Sequence, residues 1–284
     1  MERLPIISLT SGNHVEAVKR FLSRFRFREP ASSLEHITAI ARAFSTIPYE
    51  NVSKIIRFSQ SGEIAFRMPE EVYEDHRQWH LGGTCFSLTY YLLEILRYFG
   101  YQCAPVMGDM HWGENVHSVV LVTFQGERYL VDPGYMIHRP VAIAKDTVQR
   151  YLAPHAGIEL RFRPEDDRFD LFTFRSGNYT WRYRFTPQPV SLDEFSAHWI
   201  ASFFQPTLHG ICLTRTSETG MIYVHNDFTK ISGQDFTRRS HSRDQTEKVI
   251  REHFGIPLHL IEEARYALTI NRRREQEMAP SETD

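Results

Sequence analysis

The stretch Leu81-Gly82-Gly83-Thr84-Cys85-Phe86-Ser87 runs two consecutive glycines into an apolar-periodic segment that opens on a cysteine. Leu88, Leu92, Ile95, Leu96 and Phe99 follow at helical spacing, and Gly100 stands where a helix would end. The spacing therefore predicts a helix beginning at Cys85, with Thr84 as its N-cap. Glycines at 82 and 83 let the backbone pass close to its neighbours. A cysteine in a first helical turn meets unpaired amides and the positive end of the macrodipole. These favour a thiolate by about 0.3 to 1 kcal/mol when exposed and up to ~2 kcal/mol when partly buried. A single cysteine is ordinarily an inert small hydrophobe; the glycine pair and the helix start set Cys85 apart.

Upstream, Val15, Val18, Phe21 and Leu22, then Leu34, Ile37, Ile40 and Phe44, recur with helical periodicity, so residues from about Asn13 to Glu74 read as helical. Downstream the pattern changes to short β-rich runs: Val116 to Thr123, Arg128 to Val131, Leu171 to Phe174 and Tyr179 to Phe185. These predict an antiparallel sheet or barrel. From about Ser191 a helical stretch precedes strands over Gly210 to Thr214 and Met221 to Val224. A final helix is expected near Arg243 to Phe254, and the polar tail after Arg272 is expected to fray. The fold class is α+β.

Thirty-three Lys and Arg against 35 Asp and Glu give a formal charge of -2, which supplies no global field to gather nucleic acid or anionic membrane. Phe25-Arg26-Phe27-Arg28 and Trp181-Arg182-Tyr183-Arg184-Phe185 alternate with period two, as strands or edges with one wet face do. Neither a secretory signal nor a membrane span of ~18 apolar residues is readable, so a cytoplasmic location is expected. Cys85, Cys103 and Cys212 are few, odd in number and widely spaced, as reduced thiols would be. His76 and His80 have the i, i+4 spacing of a helical metal pair but no third ligand nearby, and are expected on a solvated helix face. No phosphate loop of Walker or dinucleotide type occurs. Neither metal nor nicotinamide is expected.

Gln125-Gly126 reads as a two-residue turn between Val116-to-Thr123 and Arg128-to-Val131. If these residues centre the turn, Val119 faces Asp132, and His117 points to the same face as Asp132's diagonal neighbour. A slip of one residue would put them on opposite faces. An imidazole held by a carboxylate can take a thiol proton and later return one to a leaving group. Cys85, His117 and Asp132 are thus candidate nucleophile, base and orienter.

With these residues in place, the sequence resembles the arylamine N-acetyltransferase family. That family's motifs are Arg-Gly-Gly-x-Cys-x-Glu, a histidine on a following strand, and Val-Asp-x-Gly-Phe. Here Gly82, Gly83 and Cys85 precede His117-Ser118-Val119-Val120 and then Val131-Asp132-Pro133-Gly134-Tyr135. Pro48-Tyr49-Glu50-Asn51-Val52 looks like the family's Pro-Phe-Glu-Asn-Leu. Order and spacing agree from about Ile47 to Pro140.

The resemblance implies an N-terminal helical bundle over 1–100, a central antiparallel β-barrel over 101–190 and a C-terminal α/β lid over 191–284. It implies a cysteine-dependent transferase that carries an acetyl or other acyl group from acetyl-CoA to an arylamine, hydrazine or related small-molecule amine. By position, Tyr135 matches an aromatic of the acceptor pocket, and Thr207 in Phe204-Gln205-Pro206-Thr207 falls near the family's coenzyme site. Two departures stand out: Leu81 replaces the motif arginine and Ser87 the motif glutamate. Glu50 is then expected to find another partner or open to water, Arg77 and His80 being the candidate partners nearest the Gly-Gly segment. An amide synthase, a thiol hydrolase or transglutaminase-like enzyme, and a binding protein with a drifted site are the competing readings.

Overall fold

The structure, a computed structural model, describes residues 9, 14–27, 32–153, 156–205, 208–217, 220–233 and 235–278. Its N-terminal part holds α1 (Val15–Phe25), α2 (Leu34–Phe44), a short strand β1 (Tyr49–Glu50), α3 (Val52–Ser61), α4 (Pro69–Trp79) and α5 (Cys85–Tyr98). An antiparallel sheet follows: β2 (Gln102–Met110), β3 (Gly113–Phe124), β4 (Glu127–Val131), β5 (Val141–Ala142), β6 (Gln149–Leu152), β7 (Gly157–Arg163), β8 (Arg168–Arg175) and β9 (Asn178–Phe185). The last part comprises α6 (Leu192–Ala201), β10 (Cys212–Ser217), β11 (Gly220–His225), β12 (Phe228–Gly233), β13 (Thr237–His241), α7 (Arg243–Val249) and α8 (Leu258–Met278).

The eight strands run in the order β5-β4-β3-β2-β9-β8-β7-β6, barrel-like, with no ladder joining β5 to β6 among the described residues. The second sheet, β1-β10-β11-β12-β13, takes its edge strand from the N-terminal part. Glycine makes that crossing possible. A Cβ at Gly82 would fall 1.7 Å from the Pro48 carbonyl oxygen. Gly83 bridges Tyr49, and the Glu50 amide donates to the Gly83 carbonyl at 3.0 Å. Bare backbone at 82 and 83 thus lays β1 alongside the approach to Cys85.

Helix α5 is the pillar of the core: every residue from Cys85 to Leu96 is buried, consistent with a helix enclosed by other elements. Leu88, Leu92, Ile95 and Leu96 pack with α1, α2, α6 and strands β2 and β3, each buried leucine contributing about 1.5 to 3 kcal/mol. Thr89 Oγ1 donates to the Ser118 carbonyl at 2.9 Å and ties the helix to β3. Gly100, at φ 77°, ends it. Thr84 occupies the N-cap position, but its side chain makes no capping hydrogen bond; instead Ser87 Oγ donates back to the Thr84 carbonyl.

Three other expectations are corrected. Phe25 closes α1 and Arg26 caps it in the left-handed region, so Phe25-Arg26-Phe27 is a helix end, with Phe25 and Phe27 both packed on Phe21, while Arg28 lies outside the described residues. His76 is buried and bonds the Leu81 carbonyl through Nδ1 at 3.1 Å, and does not lie on a wet face. Burial pushes its pKa down to about 4. The final helix is α8, which continues past Arg272 because Asn271, Arg272 and Arg274 bond the Ile55, His209 and Phe58 carbonyls. No helix among the described residues is long and apolar enough to cross a membrane.

Candidate active site

The β3–β4 hairpin has the register that the sequence implies: Val120 pairs with Val131 and Thr123 with Arg128, around Gln125 (φ 52°) and Gly126 (φ 81°). Two positive φ values at the tip are the signature of a turn whose twist matches the strands. Continued past Val131, that register brings His117 and Asp132 to one face, where His117 Nε2 and Asp132 Oδ2 are 3.0 Å apart. Both are buried, Asp132 completely.

Asp132 is held from three sides. Besides His117, the Tyr183 hydroxyl donates to Oδ2 at 2.7 Å and the Tyr135 amide donates to Oδ1 at 2.9 Å. Tyr183 was legible only as an inward residue of an alternating strand; its bond to Asp132 joins elements with no common sequence pattern. The Tyr135 ring stands edge-on to His117, centroids 5.2 Å apart.

Cys85 lies on the other side of the imidazole. A Cβ at Gly134 would meet His117 Cε1 at 2.8 Å and Cys85 Cβ at 3.1 Å, so one glycine separates and touches both. Burial opposes charge on His117, but the Asp132 carboxylate and the adjacent Cys85 outweigh it and push the imidazole pKa up to about 10. A cationic His117 is the electrostatic partner a thiolate requires. Cys103 and Cys212 differ: burial pushes both thiols up to about 12. All three cysteines are free.

The partner of Glu50 is Arg67, an assignment the sequence did not offer. Glu50 is fully buried and Arg67 4% exposed; Nη1 lies 3.1 Å from Glu50 Oε1, and Nη2 2.8 Å from Asp75 Oδ2. The same guanidinium donates to the Gly82 carbonyl and to Ser53 Oγ, while the Ser53 amide and hydroxyl donate to the Glu50 carboxylate. Arg77 instead pairs with Glu74, and His80 is exposed at the end of α4. Leu81 packs with Val52, Ile55 and Ile250 in the apolar cluster under α8.

Lys54 was also missed. Its buried ammonium donates to the Ser202 carbonyl (3.0 Å) and hydroxyl (2.6 Å) and stands 4.0 Å over the Phe203 ring. Burial pushes its pKa down to about 7, against the upward pull of Cys85. Lys54 and Arg67 share a water-sized cavity with Thr84 and Ser87. His111 stacks edge-on with Trp112, and His138 bonds Thr216 Oγ1 across to β10 at 3.0 Å. Pro206 and Thr207 lie outside the described residues. Among the described residues no group of three His, Cys, Asp or Glu could hold a metal ion.

Comparison with known proteins sets this geometry in context. The protein-family model described as N-acetyltransferase matches residues 33–263. Arylamine N-acetyltransferase 1 of Oryctolagus cuniculus is 24% identical over 282 residues, covering 85% of this chain and 94% of its own. An arylamine N-acetyltransferase structure from Mycobacterium abscessus superposes with a TM-score of 0.77 at 15% identity, over 93% of this chain and 99% of the other. One from Bacillus cereus, described as having a unique Cys-His-Glu catalytic triad, gives 0.67 at 18% identity over 85% and 98%.

Proposed function

The chain belongs to the arylamine N-acetyltransferase family and is an acyltransferase, and from that premise we propose that it carries an acetyl group from coenzyme A to an arylamine, hydrazine or related amine by a ping-pong cycle on Cys85. The observation that supports this most is the Cys85, His117 and Asp132 arrangement, in which one buried imidazole touches both a thiol at a helix start and a carboxylate.

In the first half-reaction the Cys85 thiolate attacks the thioester carbonyl, and amides at the start of α5 hold the oxyanion. The carbon–sulfur bond to coenzyme A breaks, and the departing thiolate takes the proton of His117. Acetyl-Cys85 and neutral His117 remain. The amine then attacks the acetyl carbonyl and His117 accepts its proton as the Cys85 thiolate leaves, restoring the ion pair. Asp132 keeps the ring oriented by holding its Nε2, beside the adjacent Cys85. Tyr135, flanking the imidazole, lines the acceptor side.

In this reading residues 1–100 bring the nucleophile, 101–190 the base and orienter, and 191–284 the lid. The cytoplasm is the compartment in which three free thiols stay reduced. The test is intact-protein mass spectrometry after incubation with acetyl-CoA and no acceptor. One acetyl group should map to Cys85 and leave on addition of an arylamine or hydrazine, and Cys85→Ser should lose both adduct and turnover. Acylation confined to Cys103 or Cys212 would overturn the mechanism. Discharge equally fast by water alone would make the enzyme a hydrolase.

A further inference from the structure

Lys54 of α3 is a buried cation, 7% exposed. Of the three protons an ammonium can donate, two go to Ser202, at 3.0 Å to the carbonyl and 2.6 Å to the hydroxyl, and the Phe203 ring lies 4.0 Å from Nζ. All of these partners are neutral. Among the described residues no carboxylate stands within ion-pair distance of it. A desolvated charge is costly to keep unless an opposite charge answers it. The surroundings add to that cost. The water-sized cavity beside Lys54 is also lined by Thr84 and Ser87, the N-cap and third residue of α5, so the ammonium stands at the helix end that disfavours cations. Arg67, on the same cavity, is already bound to Glu50 and Asp75, and the other wall residues, Ser53 and Trp199 among them, carry no charge.

The matching deficit lies at the same helix end. Cys85 opens α5, between Thr84 and Ser87. A Cys85 thiolate, a His117 imidazolium and the Asp132 carboxylate together carry one negative charge, and all three side chains are buried. The phenols around them leave that charge unchanged, because burial holds Tyr49, Tyr135 and Tyr183 above the ordinary range and so un-ionised. With Lys54 protonated, the buried group as a whole is neutral. Cys85 is also the acid whose charge favours the Lys54 ammonium against its burial.

We infer that Lys54 is a positioning residue for the charge on Cys85: it touches no substrate, and its ammonium balances the Cys85, His117 and Asp132 group in the thiolate form. The balance changes during the reaction. Acetylation turns the thiolate into a neutral thioester and leaves Lys54 without its anion; attack by the amine expels the thiolate and restores the pair. The field of Lys54 therefore favours the nucleophile before acylation and the leaving group at discharge. The inference rests on the proposed thiolate mechanism and adds the cation that holds it neutral.

The test reads the thiolate with no acyl donor present. The rate at which iodoacetamide alkylates Cys85, located by peptide mapping, is followed across pH in wild type, Lys54→Met, Lys54→Gln and Lys54→Arg. Both neutral variants should raise the midpoint of that profile by about one unit, the lower end of the effect of a nearby opposite charge, because no hydrogen bond joins the ammonium to sulfur among the described residues. On the acid side of the profile, alkylation is then about tenfold slower than in wild type. Lys54→Arg keeps the charge and should keep the wild-type midpoint. Gln retains a donor for Ser202 and Met retains apolar packing against Phe203, so a merely structural role would spare one of the two. Lys54→Met removes a buried charge and should melt no lower than wild type, which secures a folded comparison. An unchanged midpoint in the neutral variants, a shift in only one of them, or an equal shift in Lys54→Arg would overturn the inference. Failure of wild-type Cys85 to take an acetyl group from acetyl-CoA would defeat the ping-pong reading instead, and the midpoints would still decide whether Lys54 balances the thiolate.

Discussion

Replacing Arg67 with Met tests the network around Glu50 most severely. The substitution keeps an unbranched side chain but strips a fully buried carboxylate of its only cation among the described residues. Breaking one partner of a buried pair costs about 3 to 5 kcal/mol, because the remaining charge stays desolvated. Ser53 still donates twice to Glu50, which favours the lower end. For 284 residues the unfolding entropy is about 0.6 kcal/mol per K, so Arg67→Met should melt about 5 to 8 °C lower. Glu50→Gln added to it should recover part of this by removing the stranded charge. The residual deficit belongs to the Gly82 carbonyl, which also loses its donor. Calorimetry of wild type, both single variants and the double variant gives the coupling directly. A fall below 2 °C in Arg67→Met, or strictly additive effects, would refute the view that Arg67 balances Glu50.

Three further outcomes follow from the same geometry. His117→Ala and Asp132→Asn should cost far less in transition-state free energy together than the sum of their single losses, because Asp132 acts through the ring it holds; kcat/KM for the four proteins settles this. The folded pKa of Lys54, about 7, lies below its ordinary 10.5, so the unfolded chain binds the extra proton between those values and this residue makes stability rise with pH across that window. Lys54→Met should flatten that slope, and its stability advantage over wild type should be largest below pH 7 and shrink toward pH 10 in chemical denaturation. Gly134→Ala should cut acylation of Cys85 at least tenfold, since its methyl would lie 2.8 Å from His117 Cε1 and 3.1 Å from Cys85 Cβ; an unaffected rate would mean that the ring has room to move.

The hairpin was legible because a two-residue turn leaves one register, and Gln125-Gly126 announces itself in composition. The α5 stripe was legible because a long apolar helix has no other period. Helix α8 escaped because three of its five buried positions among the described residues, Ala264, Ala267 and Asn271, are small or polar and leave only Ile261 and Leu268 to carry a hydrophobic signal. Arg67 and Lys54 escaped for a different reason. Their partners come from other elements, Gly82 and Glu50 for the one and Ser202 for the other, and such contacts follow no period. Sequence proximity pointed to Arg77 and His80, but both face solvent at the end of α4, where water solvates charge without cost.

The two motif departures bear on whether this site has drifted out of use. Loss of a motif arginine at 81 alone would strand Glu50, and loss of a motif glutamate at 87 alone would leave its surroundings without an acid. Instead an apolar residue at 81 packs in an apolar cluster, and the cation reaches Glu50 from position 67, outside the motif. Ser87 fits over Gly83, where a Cβ would lie 2.2 Å from its hydroxyl, and closes its own bond to the Thr84 carbonyl. Drift without selection accumulates buried charges that nothing answers, each costing several kcal/mol. Here Arg67 answers both Glu50 and Asp75, so neither carboxylate is left without a cation. A paired Glu50 beside a connected Cys85, His117 and Asp132 is the pattern expected of a working enzyme.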